Sequence, residues 1–242
     1  MQTYAIGDIH GHFDLLRGVH DLIADDMARH GAGQVVHVGD LVDRGPASRA
    51  VVDYLHQGIA AGQDWVVLRS NHDRLFTLFM EDPAAGDPCL RADLSWLHPK
   101  IGGAETLRSY GVRSAADRPV AAVHADAQAM VPQAHVDFLN SRPAWHRANG
   151  AIFVHAGVRP GLAIEEQSED DLVWIRAGFL DHEAPFEALI VHGHTAIDVP
   201  THYGNRVNID TSAAYGGPLS VVVVEAGEVF HLTPQGRVLL RP

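Results

Sequence analysis

At 242 residues, with 46% apolar and 20% charged residues, the chain is sized for one large domain with a full core and is too short for two comfortable ones. Its formal net charge of −12 excludes a broad nucleic-acid interface, which needs a basic surface to displace counterions. No apolar run is long enough to span a bilayer, the amino terminus enters a strand without a basic-then-apolar leader, and the lone Cys89 excludes an internal disulfide, so a cytoplasmic protein is expected.

In chain order, Tyr4-Ala5-Ile6 reads as a buried strand and runs into Gly7-Asp8-Ile9-His10-Gly11. Apolar residues at Leu15, Leu16, Val19, Leu22, Ile23 and Met27 predict an amphipathic helix over 13–27. The run Gln34–Val38 is a second strand, ending at Gly39-Asp40-Leu41-Val42-Asp43-Arg44-Gly45. A helix over 48–55, closed by Gly58, leads to a third strand, Trp65–Leu68, and then to Arg69-Ser70-Asn71-His72-Asp73. Strand and helix alternation implies parallel strands with right-handed crossovers. Residues 82–150, broken by Pro83, Gly86, Pro88, Pro99, Gly102 and Gly103, read as a cap-like insertion of loops and short helices near 104–110 and 132–139 within a single domain, 1–242. Strands return at 151–154, ending at His155-Ala156-Gly157, and at 188–191, ending at His192-Gly193-His194-Thr195. The tail (206–209, 219–225, 229–232, 238–240) reads as an antiparallel meander, so two sheets packed face to face with helices outside are expected.

Seventeen histidines are present, and His20, His30, His37, His56 and His192 read as surface or satisfied core residues. One Gly-Asp or His-Gly pair is an ordinary turn. Five such clusters, each directly after an apolar strand, point to one site at a sheet edge. The collected donors Asp8, His10, Asp40, Asn71, His155 and His194 are carboxylate, amide and imidazole without thiolate, a set suited to manganese, iron, zinc or a similar divalent ion. Six such groups exceed what one catalytic ion takes from protein, and a metal pair bridged by Asp40 accommodates them better. With Lys100 the only lysine, a Gly-Lys-Ser/Thr phosphate loop is excluded.

These ordered motifs resemble the calcineurin-like metallophosphoesterases from Ile6 to about Thr211, and Val42-Asp43-Arg44-Gly45 is similar to the bacterial and phage form of the PPP serine/threonine protein phosphatases. The resemblance implies a four-layer αββα sandwich, an α/β fold, around two divalent metals, with manganese placed ahead of iron, zinc, nickel or cobalt. It assigns Asp8, His10 and Asp40 to one metal and Asp40, Asn71, His155 and His194 to the other. Two dications about 3.5–4 Å apart would hold a bridging hydroxide for in-line attack on phosphorus. His72 is then the general acid, oriented by Asp43, while Arg44 and Arg176 clamp phosphate oxygens. The bland alternative for Arg176 is a surface arginine ending a strand. Ser70 replaces a usual glycine and strains the turn if a positive φ is needed there.

The expected activity is therefore dephosphorylation of phosphoserine and phosphothreonine, or also phosphotyrosine, in a phosphoprotein, without nucleic-acid or membrane partners. The alternative is a symmetrical diadenosine tetraphosphate hydrolase or another small-molecule phosphatase. Asp43 favours the first and Asp73, in place of the phosphatases' glutamate, the second. An HD-type phosphohydrolase is disfavoured because His72-Asp73 follows a strand, and a cysteine phosphatase because no arginine stands six residues after Cys89. A catalytically dead binding module on the same fold conflicts with the intact ligand set.

Overall fold

A computed structural model of the chain describes residues 2–242. The order is β1 (Gln2–Ile6), α1 (Phe13–His30), β2 (Gly33–His37), α2 (Ser48–Ala60), β3 (Trp65–Val67), α3 (Asn71–Glu81), α4 (Gly103–Ser109), α5 (Val120–Met130), α6 (Gln133–Asn140), β4 (Trp145–Ala148), β5 (Ala151–Val154), α7 (Glu169–Trp174), β6 (Leu189–His192), β7 (Thr201–His202), β8 (Arg206–Asn208), β9 (Val221–Glu225), β10 (Glu228–Thr233) and β11 (Gly236–Leu240). One sheet runs β11-β10-β9-β1-β2-β3 and the other β4-β5-β6-β8-β7. Both are mixed: β1, β2 and β3 are parallel, β9 joins β1 antiparallel, and β5, β6 and β8 are parallel.

The four layers follow from side-chain alternation. In β1, Tyr4 and Ile6 point into the core under α1–α6, whereas Ala5 meets the other sheet. In β9, Val221 and Val223 share that first core, and Val222 and Val224 face inward between the sheets. On the far side, Phe153 and Val191 fill the inter-sheet layer while Ile152 and Ile190 pack under Leu172 and Val173 of α7. The expected sandwich is therefore the observed one.

Its strands are distributed differently from the sequence reading. The chain's carboxyl-terminal meander is only β9–β11, and it extends the first sheet; Arg206–Asn208 instead lies parallel to β6 in the second. Helix α2 continues through Gly58 because the Trp65 ring lies against it, and a Cβ there would fall 2.0 Å from Trp65 Cζ3. Helix α5 escapes the periodicity argument because it is alanine-rich and buries only Val123 and Ala127. Helices α4 and α6 pack on α2, and α5 and α6 on α3, so this part of residues 82–150 belongs to the outer helical layer. No helix of the described residues is long and apolar enough to cross a membrane.

His20 and His37 form a core pair whose protons can be assigned. His37 Nδ1–H donates to Val66 O (3.1 Å), which leaves its Nε2 to accept from His20 Nε2–H (3.0 Å), and Tyr54 Oη donates to His20 Nδ1 (3.3 Å). Burial lowers His20 to about 4 and His37 to about 3, from an ordinary 6.5. Both folded values lie below the unfolded one, so the unfolded chain binds the extra protons and stability is lost as pH falls below about 6.5. Thermal melts in chelator from pH 7 to pH 4 should show this loss, with a shallower slope in His20→Leu/His37→Leu; an unchanged slope would contradict the assignment.

Candidate active site

The five strand-end clusters converge. Asp8 and His10 follow β1, Asp40 follows β2, Asn71 opens α3 just after β3, His155 follows β5, and His194 follows β6. Backbone bonds knit the first two loops: Ile9 and His10 N–H both donate to Asp40 O, at 3.1 and 2.6 Å, and Gly11 N–H donates to Leu41 O at 2.9 Å. Among the described residues, five of the nine non-glycine residues with positive φ lie here: His10, Asp40, Asp43, Arg44 and His194. Each such residue costs on the order of 1–3 kcal/mol, and here the strain turns side chains toward one point.

At that point lone pairs meet without protons between them. His10 Nδ1–H donates to Val42 O (2.9 Å), so its bare Nε2 faces Asp40 Oδ2 at 3.1 Å. His155 Nδ1–H donates to Val38 O (3.0 Å), and its bare Nε2 faces Asn71 Oδ1 at 2.8 Å and Asp40 Oδ1 at 3.4 Å. Two overlapping donor groups result, His10–Asp40–His72 and Asp40–His155–His194, each with its ligand atoms within 4.8 Å of one another, and Asp40 is their common member.

Electrostatics point the same way. Burial, then Asp210 and Asp40, push the Asp8 carboxyl well above its usual range. Burial also raises Asp40, and its carboxyl is held well below the usual range only by positive charge beside it, on His155, His72 or His10 when protonated. Burial lowers His10, His155 and His194, which keeps their imidazoles neutral and available as ligands. Asp8 Oδ1 and His194 Nε2 are buried without a hydrogen-bond partner among the described residues. Such a set suits hard or borderline divalent cations, which would neutralise carboxylates that otherwise repel. Gly193 makes room for it: a Cβ there would fall 1.9 Å from Asp8 Oδ1.

His72 and Asp43 adjoin this cluster. His72 Nδ1–H donates to Asp43 Oδ2 at 2.6 Å, and Asp43 also accepts from Trp96 Nε1 (3.0 Å) and Thr106 Oγ1 (2.8 Å). Burial raises Asp43 to about 7 and lowers His72 to about 4. Arg44 donates Nη1–H to His10 Nε2 (2.6 Å) and Nη2–H to His72 Nε2 (2.9 Å). Arg176 follows a helix, α7, rather than a strand, and its Nη2 donates to His194 O at 3.0 Å. All ten residues singled out from the sequence thus meet in one place.

Ser70 is not strained: its φ is −128°, and it caps α3 by accepting from Asp73 N–H. Asp73 in turn accepts from Leu41 N–H (3.1 Å) and Val42 N–H (3.3 Å), bracing the Asp40–Asp43 loop. Sequence reasoning missed Trp96, Thr106 and Asp210. The last follows β8 as Asn208-Ile209-Asp210, the same strand-then-carboxylate signal used elsewhere.

The cluster floors a cavity of about 590 Å³ whose outer wall comes from residues 89–101 and from α7, with Asp210 and Tyr215 also lining it. Arg74, buried on α3 one turn after Asn71, ties these walls down. It donates to Asp87 (2.7 and 3.0 Å) and to Asp170 (2.7 Å), and Trp174 Nε1 donates to the same Asp87 at 3.2 Å.

The family model for calcineurin-like phosphoesterases matches residues 1–224. The asymmetrical bis(5'-nucleosyl)-tetraphosphatase PrpE of Anoxybacillus flavithermus is 26% identical over 227 residues, covering 90% of this chain and 88% of that protein. The symmetrical bis(5'-nucleosyl)-tetraphosphatase of Methylobacillus flagellatus is 28% identical over 166 residues, 69% of this chain and 47% of that protein. Among solved structures, a cold-active protein-tyrosine phosphatase of a psychrophilic Shewanella superposes with a TM-score of 0.62 at 17% identity, covering 99% of this chain and 80% of its own. A candidate diadenosine tetraphosphatase gives 0.62 at 20% identity, covering 99% and 94%. At such identities these two structures speak for the fold alone. The family match runs through all five strand-end clusters, and the chain belongs to the calcineurin-like phosphoesterases.

Proposed function

We propose that this metallophosphoesterase hydrolyses the polyphosphate bridge of a dinucleoside polyphosphate. The observation that carries the reading is the cavity: at about 590 Å³ it continues well past the donor cluster, with Arg44 and Arg176 lining it, and so has room for much more than one phosphoryl group. The curated relatives favour the same substrate class over the phosphoprotein expected from Asp43, since those that match are named tetraphosphatases. The relatives matched over most of both chains are the asymmetrical enzymes, so cleavage to unequal products is the reading adopted.

Asp8, His10, Asp40, Asn71, His155 and His194 would hold two divalent ions, with Asp40 shared. When bound, such ions supply Lewis acidity toward phosphoryl oxygens and make water acidic enough to act as a nucleophile near neutral pH. The chain's own residues do the rest. Arg44 and Arg176 orient the bridge through fork-like donors and stabilise charge gathering on the equatorial oxygens. Asp43, fixed by Trp96 and Thr106, holds the His72 ring by Nδ1–H, so Nε2, which accepts from Arg44 here, is the atom that takes up a proton from solvent and passes it to the departing nucleotide's oxygen as the P–O bond breaks.

Purified protein with added Mn²⁺ should convert diadenosine tetraphosphate to ATP and AMP, resolved by chromatography, and faster than it releases phosphate from phosphopeptides. ADP alone would move it to the symmetrical enzymes, and preference for phosphopeptides would overturn the dinucleotide reading. Replacing His72→Asn should lower kcat by roughly 10²–10⁴-fold, with metal content by elemental analysis unchanged; loss of metal would instead make His72 a ligand. Gly193→Ala should reduce bound metal below wild type while the far-ultraviolet circular dichroism stays the same, because its Cβ collides with the Asp8 carboxylate.

A further inference from the structure

Among the described residues Tyr215 has the greatest exposure of the large hydrophobic side chains, at 69%, and it stands at the rim of the catalytic cavity. The guanidinium carbon of Arg44 lies 5.3 Å from the centroid of its ring. Nothing in the packing requires a phenol there, because the neighbouring Ala213 supplies this turn's contact with the core.

The loop that carries the ring is nonetheless closely fixed. Ser212 N–H donates to Asp210 Oδ1 (3.1 Å), and Ser212 Oγ donates to Ile197 O (3.0 Å). Thr211 Oγ1 donates to Pro218 O (2.7 Å), and Tyr215 and Gly217 N–H both return to Ser212 O, at 2.8 and 2.9 Å. Ser212 holds a positive φ of 64° to make this turn. Asp210 therefore joins the loop directly to the floor of the site. A large, exposed aromatic on such a mount is well placed for a ligand, because little loop freedom remains to be lost on binding.

We infer that Tyr215 is a stacking platform for a purine base of the bound nucleotide; this deepens the dinucleotide reading and rests on it. Only a ribose separates base from phosphate, so a nucleotide whose phosphate lies on Arg44 carries its base to the cavity rim, where the ring stands. Arg44 contacts His72 as well as Tyr215, which places the platform on the leaving-group side of the site. Stacking accepts any base with a π face and favours the larger purines, whereas a phosphoserine or phosphothreonine side chain offers no flat group.

The test uses Tyr215→Leu and Tyr215→Phe in the full chain. Binding of ADP and of base-free pyrophosphate is measured calorimetrically, alongside turnover of diadenosine tetraphosphate. Tyr215→Leu should weaken ADP about tenfold and raise KM for the dinucleotide by a similar factor, with kcat and pyrophosphate affinity within about twofold, while Tyr215→Phe stays near wild type. Equal weakening of ADP and pyrophosphate, or no change in either, would overturn the platform. Wild-type protein that turns over phosphopeptides but not the dinucleotide would instead overturn the reading on which it rests, so the two failures are distinguishable.

Discussion

Asp8, Asp40 and Asp210 are buried close together, and the imidazoles beside them are pushed toward neutrality by the same burial. Charges of one sign taken out of water are costly, and crowding them multiplies the cost. This concentration of bare lone pairs is the constraint from which the rest of the site follows. It demands positive charge, a role filled by a bound dication or a guanidinium, and it requires a frame stiff enough to resist carboxylates that push apart. The sandwich provides that frame, since each donor stands within a few residues of a strand end or on the first turn of a helix docked against one.

The same demand explains the backbone. Left-handed conformations at His10, Asp40, Asp43, Arg44 and His194 survive because sheet ladders on one side and cross-loop bonds on the other over-determine them. Asp73 and Ser70 complete the brace: a helix cap and a carboxylate accepting two amide protons hold the Asp40 loop by its main chain.

Much of the donor set was legible because each cluster is local, a short apolar strand followed at once by Gly, Asp, His or Asn. Alternation made the layers equally plain, as in Tyr4-Ala5-Ile6. What could not be read was anything that depends on partners remote in sequence. Trp96 and Thr106 reach Asp43 across 53 and 63 residues. Sheet membership failed for a related reason, because β8 and β9 lie near each other in the chain but pair with β6 and β1, which no local pattern announces. The β4–β5 hairpin did carry a signal, Asn149-Gly150 with both φ positive, in a stretch that otherwise looked irregular. Substrate class was the least legible quality, since Asp43 and Asp73 pointed to different relatives while the cavity's size is a property of the assembled walls.

Arg74 sets a limit on how this enzyme can diversify. It fastens the Asp87 segment and α7 to the helix that bears Asn71 and His72, through carboxylates 13 and 96 residues away. The aperture of the cleft and the placement of Asn71 and His72 therefore share one fastening, and widening the first disturbs the second. Descendants that adopt new substrates would do so by exchanging side chains along the walls, at Leu90, Arg91, Leu94 or Tyr215, while the walls themselves keep their station.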